Sequence, residues 1–370
     1  MQKFSAELLS VLFNSQFLEY DDNYDYFRFG QKESLGFRKK LDVQIGKILK
    51  KIKLYARRYL HRPNYGILEQ WLGFLPQLEW LYSKLEDSES KELLVKIIAY
   101  RIMGFKAVKL PLNTPDYWQK LDYYSEIQQH SDSIDIGFMG WKLYLTDLTK
   151  VDLPIKMYTL PLGIMMLKLQ QYSCPRANIQ LNKGDVVFDC GGCYGDTALD
   201  FAYQVGEKGK VYTFEFIESN LKILRKNVDL NSNLHDGIEV IQHPLWNSSN
   251  ITMFIDDNGP GSRVSLSPFH DDESPSSILT ISIDDVVDQR RLERVDLIKM
   301  DIEGAEFESL KGAEKTICKF KPNLAISIYH RPEHFFQIAQ FIDDLNLGYH
   351  FYLGHFTIHQ EETVLFAKAL

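Results

Sequence analysis

The chain has 370 residues, roughly twice the commonest domain length, so two domains are expected. Hydrophobic residues at 45% and charged residues at 25% exclude wholesale disorder. The balance of 42 Lys+Arg against 50 Asp+Glu, a formal charge of −8, argues against broad, non-specific nucleic-acid binding. Cys174, Cys190, Cys193 and Cys318 are too few and too scattered for a disulfide framework. Met1 to Leu8 lacks the basic-then-apolar pattern of a leader peptide, and the most apolar run, Leu160 to Leu167, is too short to cross a bilayer. A soluble, cytoplasmic protein with no stable membrane insertion is expected.

Residues 1–150 read as a helical domain. Leu41, Ile45, Ile48, Leu49, Ile52 and Tyr55 recur at helical spacing between Arg38 and Tyr59. Lysines and arginines fill the gaps, including Lys39, Lys40, Lys47, Lys50, Lys51, Lys53, Arg57 and Arg58. Such a face could dock on an anionic surface or an acidic partner, but a solvated lysine face is the simpler reading. Further helical patterns run from Tyr65 to Leu81 and from Glu92 to Ile102, separated by breaks at Pro63 and Pro111. This region is a candidate for acceptor recognition or for a homodimer interface. Residues 151–183 read as a connecting segment.

From residue 184 short β-rich runs alternate with helices. The strands are Val186–Phe188, Val211–Phe216, Ile238–Ile241, Leu297–Met300 and Leu324–Ile328, and helices carrying Ala198, Leu221 and Phe335 lie between or after them. This alternation predicts an α/β fold with a doubly wound, mostly parallel sheet. Tyr349–Tyr352 and Thr363–Phe366 have no helix between them, which predicts a terminal antiparallel hairpin.

The sharpest motif is Asp189-Cys190-Gly191-Gly192-Cys193-Tyr194-Gly195-Asp196-Thr197, between the first of these strands and its helix. Ligands of such folds bind beyond the carboxyl ends of the strands. Gly191 and Gly195 would let the backbone approach a ligand, and Asp189 would hold one of its polar groups. Asp196 and Thr197 open the helix, where backbone donors are free. Glu215 closes the second strand and suits both hydroxyls of a ribose. A nicotinamide dinucleotide calls for Gly-x-Gly-x-x-Gly, and an acid at the head of the loop would repel its pyrophosphate. The same acid would welcome the amino group of S-adenosylmethionine, which is therefore the preferred cofactor.

Cys190 and Cys193 form a Cys-x-x-Cys pair at a helix start. Zinc would need two more ligands nearby, so small residues packed beside the cofactor are the preferred reading over a zinc or redox site. A second cluster, Asp296 to Glu306, again runs strand, loop, helix. Asp301 and Glu303 would share the sheet edge with Asp189, available to bind hydroxyls, to act as a base or to hold a cation. Glu306 could instead cap the helix dipole. His330 follows the fifth strand, and an unperturbed imidazole there would be a competent base.

On these residues the C-terminal half resembles the FkbM family of S-adenosylmethionine-dependent methyltransferases, over roughly residues 184–368. The resemblance rests on the glycine loop, Phe214-Glu215-Phe216, Ser282 to Val286, Asp296 to Glu306, Leu310 to Ala313, Lys321-Pro322 and Tyr329-His330. Cys190 and Cys193 depart from the small residues or Asn usual in the family. The resemblance implies a class I methyltransferase domain at 184–370 that methylates a hydroxyl of a sugar, glycan or natural product. By position Asp189, Gly191, Gly192, Gly195, Asp196, Thr197, Glu215 and Phe216 would hold the cofactor, and His243 and Leu245 would flank its adenine. Asp301, Glu303 and His330 would face the acceptor, with either Asp301 or His330 as base and no metal assigned. The Gly/Pro/Ser-rich segment from Asn258 to Ser277 would be a lid or part of the acceptor pocket. An NAD-dependent oxidoreductase and a non-catalytic nucleotide-binding or interaction module remain the alternatives.

Overall fold

The computed structural model describes residues 3–14, 65–105, 107–138, 140–269 and 276–369. The basic helical pattern from Arg38 to Tyr59 and the break at Pro63 lie outside the described residues. In the N-terminal region, helix α1 spans Lys3–Asn14, α2 Tyr65–Gly73, α3 Leu75–Lys84, α4 Ser88–Met103 and α5 Pro115–Ile127. The single helix expected over Tyr65 to Leu81 is two, because Gly73 and Pro76 interrupt the backbone hydrogen-bond ladder. Asp87 starts α4 by accepting the Ser90 amide at 2.6 Å.

The helical reading to residue 150 also meets a small antiparallel sheet. Its strands are β1 Ser133–Asp135, β2 Lys142–Asp147 and β3 Lys156–Thr159. Helix α6, Pro161–Lys168, follows.

The central sheet has seven strands: β4 Val186–Cys190, β5 Lys210–Phe214, β6 Ile238–Ile241, β10 Leu297–Met300, β11 Asn323–Ser327, β12 Tyr349–His355 and β13 Thr363–Ala369. Their order is β12-β13-β11-β10-β4-β5-β6, parallel except for β13, which runs antiparallel to both its neighbours. This is the expected doubly wound sheet with its terminal hairpin. The crossover helices are α7 Asp196–Val205, α8 Glu218–Asp229, α10 Ile283–Arg290, α11 Glu306–Lys311 and α13 His334–Asp344. Short helices α9, Ser232–His235, and α12, Glu314–Phe320, complete the layers. β4 and β10 are buried on both faces, which is why they read as continuous apolar runs.

The segment after β6, which includes the Gly/Pro/Ser-rich stretch from Asn258 to Ser277, is not plain loop. It builds a second antiparallel sheet from β7 Thr252–Asp256, β8 Arg263–Ser265 and β9 Ser277–Leu279. Residues 270–275 of it lie outside the described residues. The N-terminal helices share a core with the central sheet. Trp71 of α2 meets Phe335 of α13 edge-on at 5.5 Å, and Arg101 of α4 donates to the Tyr329 and Gln360 carbonyls at 2.9 and 2.8 Å. No described helix is long and apolar enough to cross a membrane.

Candidate active site

Strand register builds the floor of the site. Lys299 of β10, Asp189 of β4 and Thr213 of β5 are aligned neighbours, so their side chains project from one face. Lys299 Nζ lies 2.9 Å from Asp189 Oδ1 and donates to the Gly191 carbonyl at 2.7 Å. Asp189 also accepts from Thr213 at 2.9 Å and from Thr197 at 3.0 Å on each oxygen. Burial pushes the Lys299 ammonium down, but Asp189 and Asp301 outweigh it and hold the pKa above the ordinary value. The expectation that Asp189 reaches a ligand does not fit this geometry: its carboxylate is fully buried, satisfied by protein and borders neither of the two cavities beyond the strand ends. The signal for Lys299 was its presence inside an otherwise apolar strand.

The glycines also answer to close contacts within the protein. Gly191 has φ +98°, and a Cβ there would stand 1.9 Å from the Asp301 carbonyl oxygen. It is the close approach of two strand-end loops that demands glycine. A Cβ on Gly192 would strike the Thr213 hydroxyl at 2.1 Å, and Gly195 (φ +81°) packs on Leu224 as it opens α7.

Two adjoining cavities open beyond these strand ends. The first, about 250 Å³, is lined by Gln171, Tyr172, Asp196, Thr197, Asp200, Lys299 and Glu362, among others. The second, about 70 Å³, has Glu215, Phe216, Asn220, His243 and Leu245 in its wall. Gly191, Cys193, Pro260, Asp301 and Glu303 border both. Glu215 Oε1 accepts the Phe216 and Ile217 amides at 2.6 and 2.7 Å, and Oε2 accepts Asn220 Nδ2 at 3.2 Å. Burial raises its pKa against these donors. Asn220, which the sequence reading missed, also donates to the Gly259 carbonyl at 3.2 Å and so pins the 259–261 turn over the second cavity. His243 is exposed, its Nδ1 2.8 Å from the Leu279 carbonyl, and Leu245 is buried. Burial raises the Asp196 carboxyl, with Lys299 opposing. Cys190 and Cys193 are free thiols whose pKa values burial pushes well up, and no described cysteine joins a metal-ligating group.

Asp301 stands where the cavities meet. Its Oδ2 accepts the Tyr172 hydroxyl at 2.8 Å and its Oδ1 the Tyr329 hydroxyl at 3.0 Å. His330 lies behind it and lines neither cavity. The ring is enclosed by Glu306 Oε1 at 2.8 Å from Nδ1, and by Glu303 Oε2 at 3.4 Å and Asp301 Oδ1 at 3.5 Å from Nε2. Burial alone would lower the imidazole pKa, yet the surrounding carboxylates raise it well above the ordinary value. An unperturbed histidine base is therefore not what the fold provides. Glu306, fully buried, accepts the Ile302 and Gly304 amides at 2.9 and 3.3 Å, locking the turn; burial would raise its carboxyl, but His330 and His334 hold it well below the usual range.

Tyr172 and Glu362 were not anticipated. Tyr172 comes from the connecting segment. Glu362 sits at φ +60° just before β13, and Gln171 donates to it at 2.6 Å. Burial, then Asp301, pushes Glu362 up to about 8.

Residues 189–351 match the model of the methyltransferase FkbM domain. Among solved structures the chain is similar to methyltransferase FkbM from Methylobacillus flagellatus KT, at 19% identity and a TM-score of 0.52. That match covers 81% of this chain and 60% of the other, so the chain spans about three fifths of that protein's length. A SAM-dependent O-methyltransferase from Thermotoga maritima gives 12% identity and a TM-score of 0.33, covering 66% and 87% of the two chains. Fibrillarin from Aeropyrum pernix, in complex with natively bound S-adenosyl-L-methionine, gives 15% identity and 0.33, covering 54% and 74%. No curated protein sequence matches. The strand order above and the structural likeness to methyltransferase FkbM agree on a mixed α/β, Rossmann-like fold. The likeness to the FkbM methyltransferase domain is confined to residues 189–351, the part that carries most of the central sheet.

Proposed function

We propose that the chain transfers the methyl group of S-adenosylmethionine to a hydroxyl oxygen of a sugar, glycan or other natural product. The observation that carries this reading is Asp301, held by two tyrosine hydroxyls at the junction of two adjoining cavities. The residues fit the cofactor's groups. Glu215 lies in the wall of the second cavity, where its carboxylate can accept a ribose hydroxyl, with Phe216 and Leu245 as walls for a flat base. Asp196, at the mouth of α7, suits an ammonium group, the part first given to Asp189.

The cofactor, when bound, supplies an electrophilic methyl group on a sulfonium. Transfer to a hydroxyl would form an O–C bond as the C–S bond breaks, sulfur keeping the electron pair, and the hydroxyl proton would have to leave. Asp301 borders both cavities and takes that proton, while Tyr172 and Tyr329 fix the carboxylate's orientation. Gln171 and Tyr172 give the connecting segment 151–183 a share in the acceptor wall, and the 259–261 turn closes the second cavity as part of the lid. We assign residues 1–150 an accessory role beside the catalytic domain at 184–370.

The test is calorimetric titration with S-adenosylmethionine, with NADH as control. Binding of the first alone is expected, weakened about tenfold or more in Glu215→Gln; preference for NADH, or indifference to that change, would overturn the cofactor assignment. Asp301→Asn should lower methyl transfer about 10²–10⁴-fold with cofactor affinity within a few-fold of the parent, read by radiolabel uptake.

A further inference from the structure

The corner around Asp301 has a feature that proton removal leaves unused. His330 is nine-tenths buried, yet neither ring nitrogen completes a well-aligned hydrogen bond. Nδ1 backs onto Glu306, and Nε2 faces the space between Asp301 Oδ1 and Glu303 Oε2, at 3.5 and 3.4 Å. Ligand atoms of Asp301, Glu306 and His330 all lie within 4.8 Å of one another. Glu303 holds a left-handed backbone, φ +55°, and its carboxylate reaches the ring.

A carboxylate behind one imidazole nitrogen and oxygen donors before the other is the arrangement of a metal-binding histidine, in which the rear acid fixes the tautomer and strengthens the donor. We propose that Asp301, Glu303 and His330 Nε2 form a binding site for a divalent cation of the Mn²⁺ or Zn²⁺ type, with Glu306 as the rear partner of the histidine. Ligand atoms bonded at about 2.1 Å to one ion lie about 3 Å apart, so the Asp301 and Glu303 oxygens, 3.5 and 3.4 Å from Nε2, must draw together around the ion, with Glu303 swinging toward Asp301. Glu303, 37% exposed, has the side-chain freedom to do so. An imidazole with two carboxylates favours Mn²⁺ or Zn²⁺ over Mg²⁺ and Ca²⁺, which prefer all-oxygen shells. Tyr172 and Tyr329 occupy one lone pair on each Asp301 oxygen and leave another for the ion. Because Asp301 and Glu303 border both cavities, the ion's open positions would face the acceptor oxygen and polarise its hydroxyl. That role rests on the methyl-transfer reading; cation binding does not.

The experiment is titration of the chelator-stripped full chain with Mn²⁺, following the free-ion electron paramagnetic resonance signal. One equivalent of signal should be lost per chain, with affinity at least tenfold weaker in His330→Gln and in Glu303→Gln; the second change, at a half-exposed side chain, keeps the fold. No uptake by the parent chain, or equal uptake by Glu303→Gln, overturns the site. S-adenosylmethionine affinity measured on the same samples separates the two readings. Cofactor binding without Mn²⁺ uptake removes the cation site alone, and uptake without cofactor binding removes the methyl-transfer reading alone.

Discussion

Lys299 and Asp189 show how one residue can be legible in kind and misread in role. An acid at the end of the first strand is visible in the sequence, and so is a lysine in an apolar strand. Their meeting is not, because it depends on register between strands more than a hundred positions apart. The pair is buried, so removing one partner strands a charge. Lys299→Met should lose about 3–5 kcal/mol of unfolding free energy by denaturant titration, and Lys299→Met/Asp189→Leu should recover part of it. If the single variant matched the parent, the pair would have no structural weight.

Among elements, the loop after β4 and the turn after β10 form one unit. Gly191 lets the Asp301 carbonyl approach, and the Glu303–Gly304 turn carries the acids. Gly191→Ala combines a forbidden contact with a φ of +98°, so it should cost several kcal/mol or displace Asp301. A sharp fall in melting temperature or in methyl transfer is expected, and unchanged values of both would refute the contact. The alternation of strands and helices was readable from residue periodicity, and so was the hairpin. The β7-β8-β9 sheet was not, since its strands are short and interrupted by Gly, Pro and Ser, which mimic a plain loop.

For the molecule as a whole, the helical region and the central sheet meet at Arg101 and the terminal hairpin. His355 is buried there, its Nδ1 2.9 Å from the Thr363 hydroxyl. Burial, aided by Arg101, lowers its pKa to about 3. The folded chain therefore resists a proton that the unfolded chain accepts near pH 6.5, so this site's contribution to stability is lost as pH falls from about 6.5 toward 3. Denaturant midpoints at pH 7.5 and 5 should differ less in His355→Gln than in the parent. An equal acid loss in both would show that other groups control it.

Local periodicity and turn chemistry, which act within a few residues, were enough to determine the class of fold, the glycine loop, Glu215 and the acid cluster near Asp301. Only the tertiary structure decided which acid meets the cavity and which is buried, because that choice follows from register and from loops crossing between strands. It also brought Tyr172 and Glu362 to Asp301 from positions 129 and 61 residues away along the chain, which no local pattern could encode.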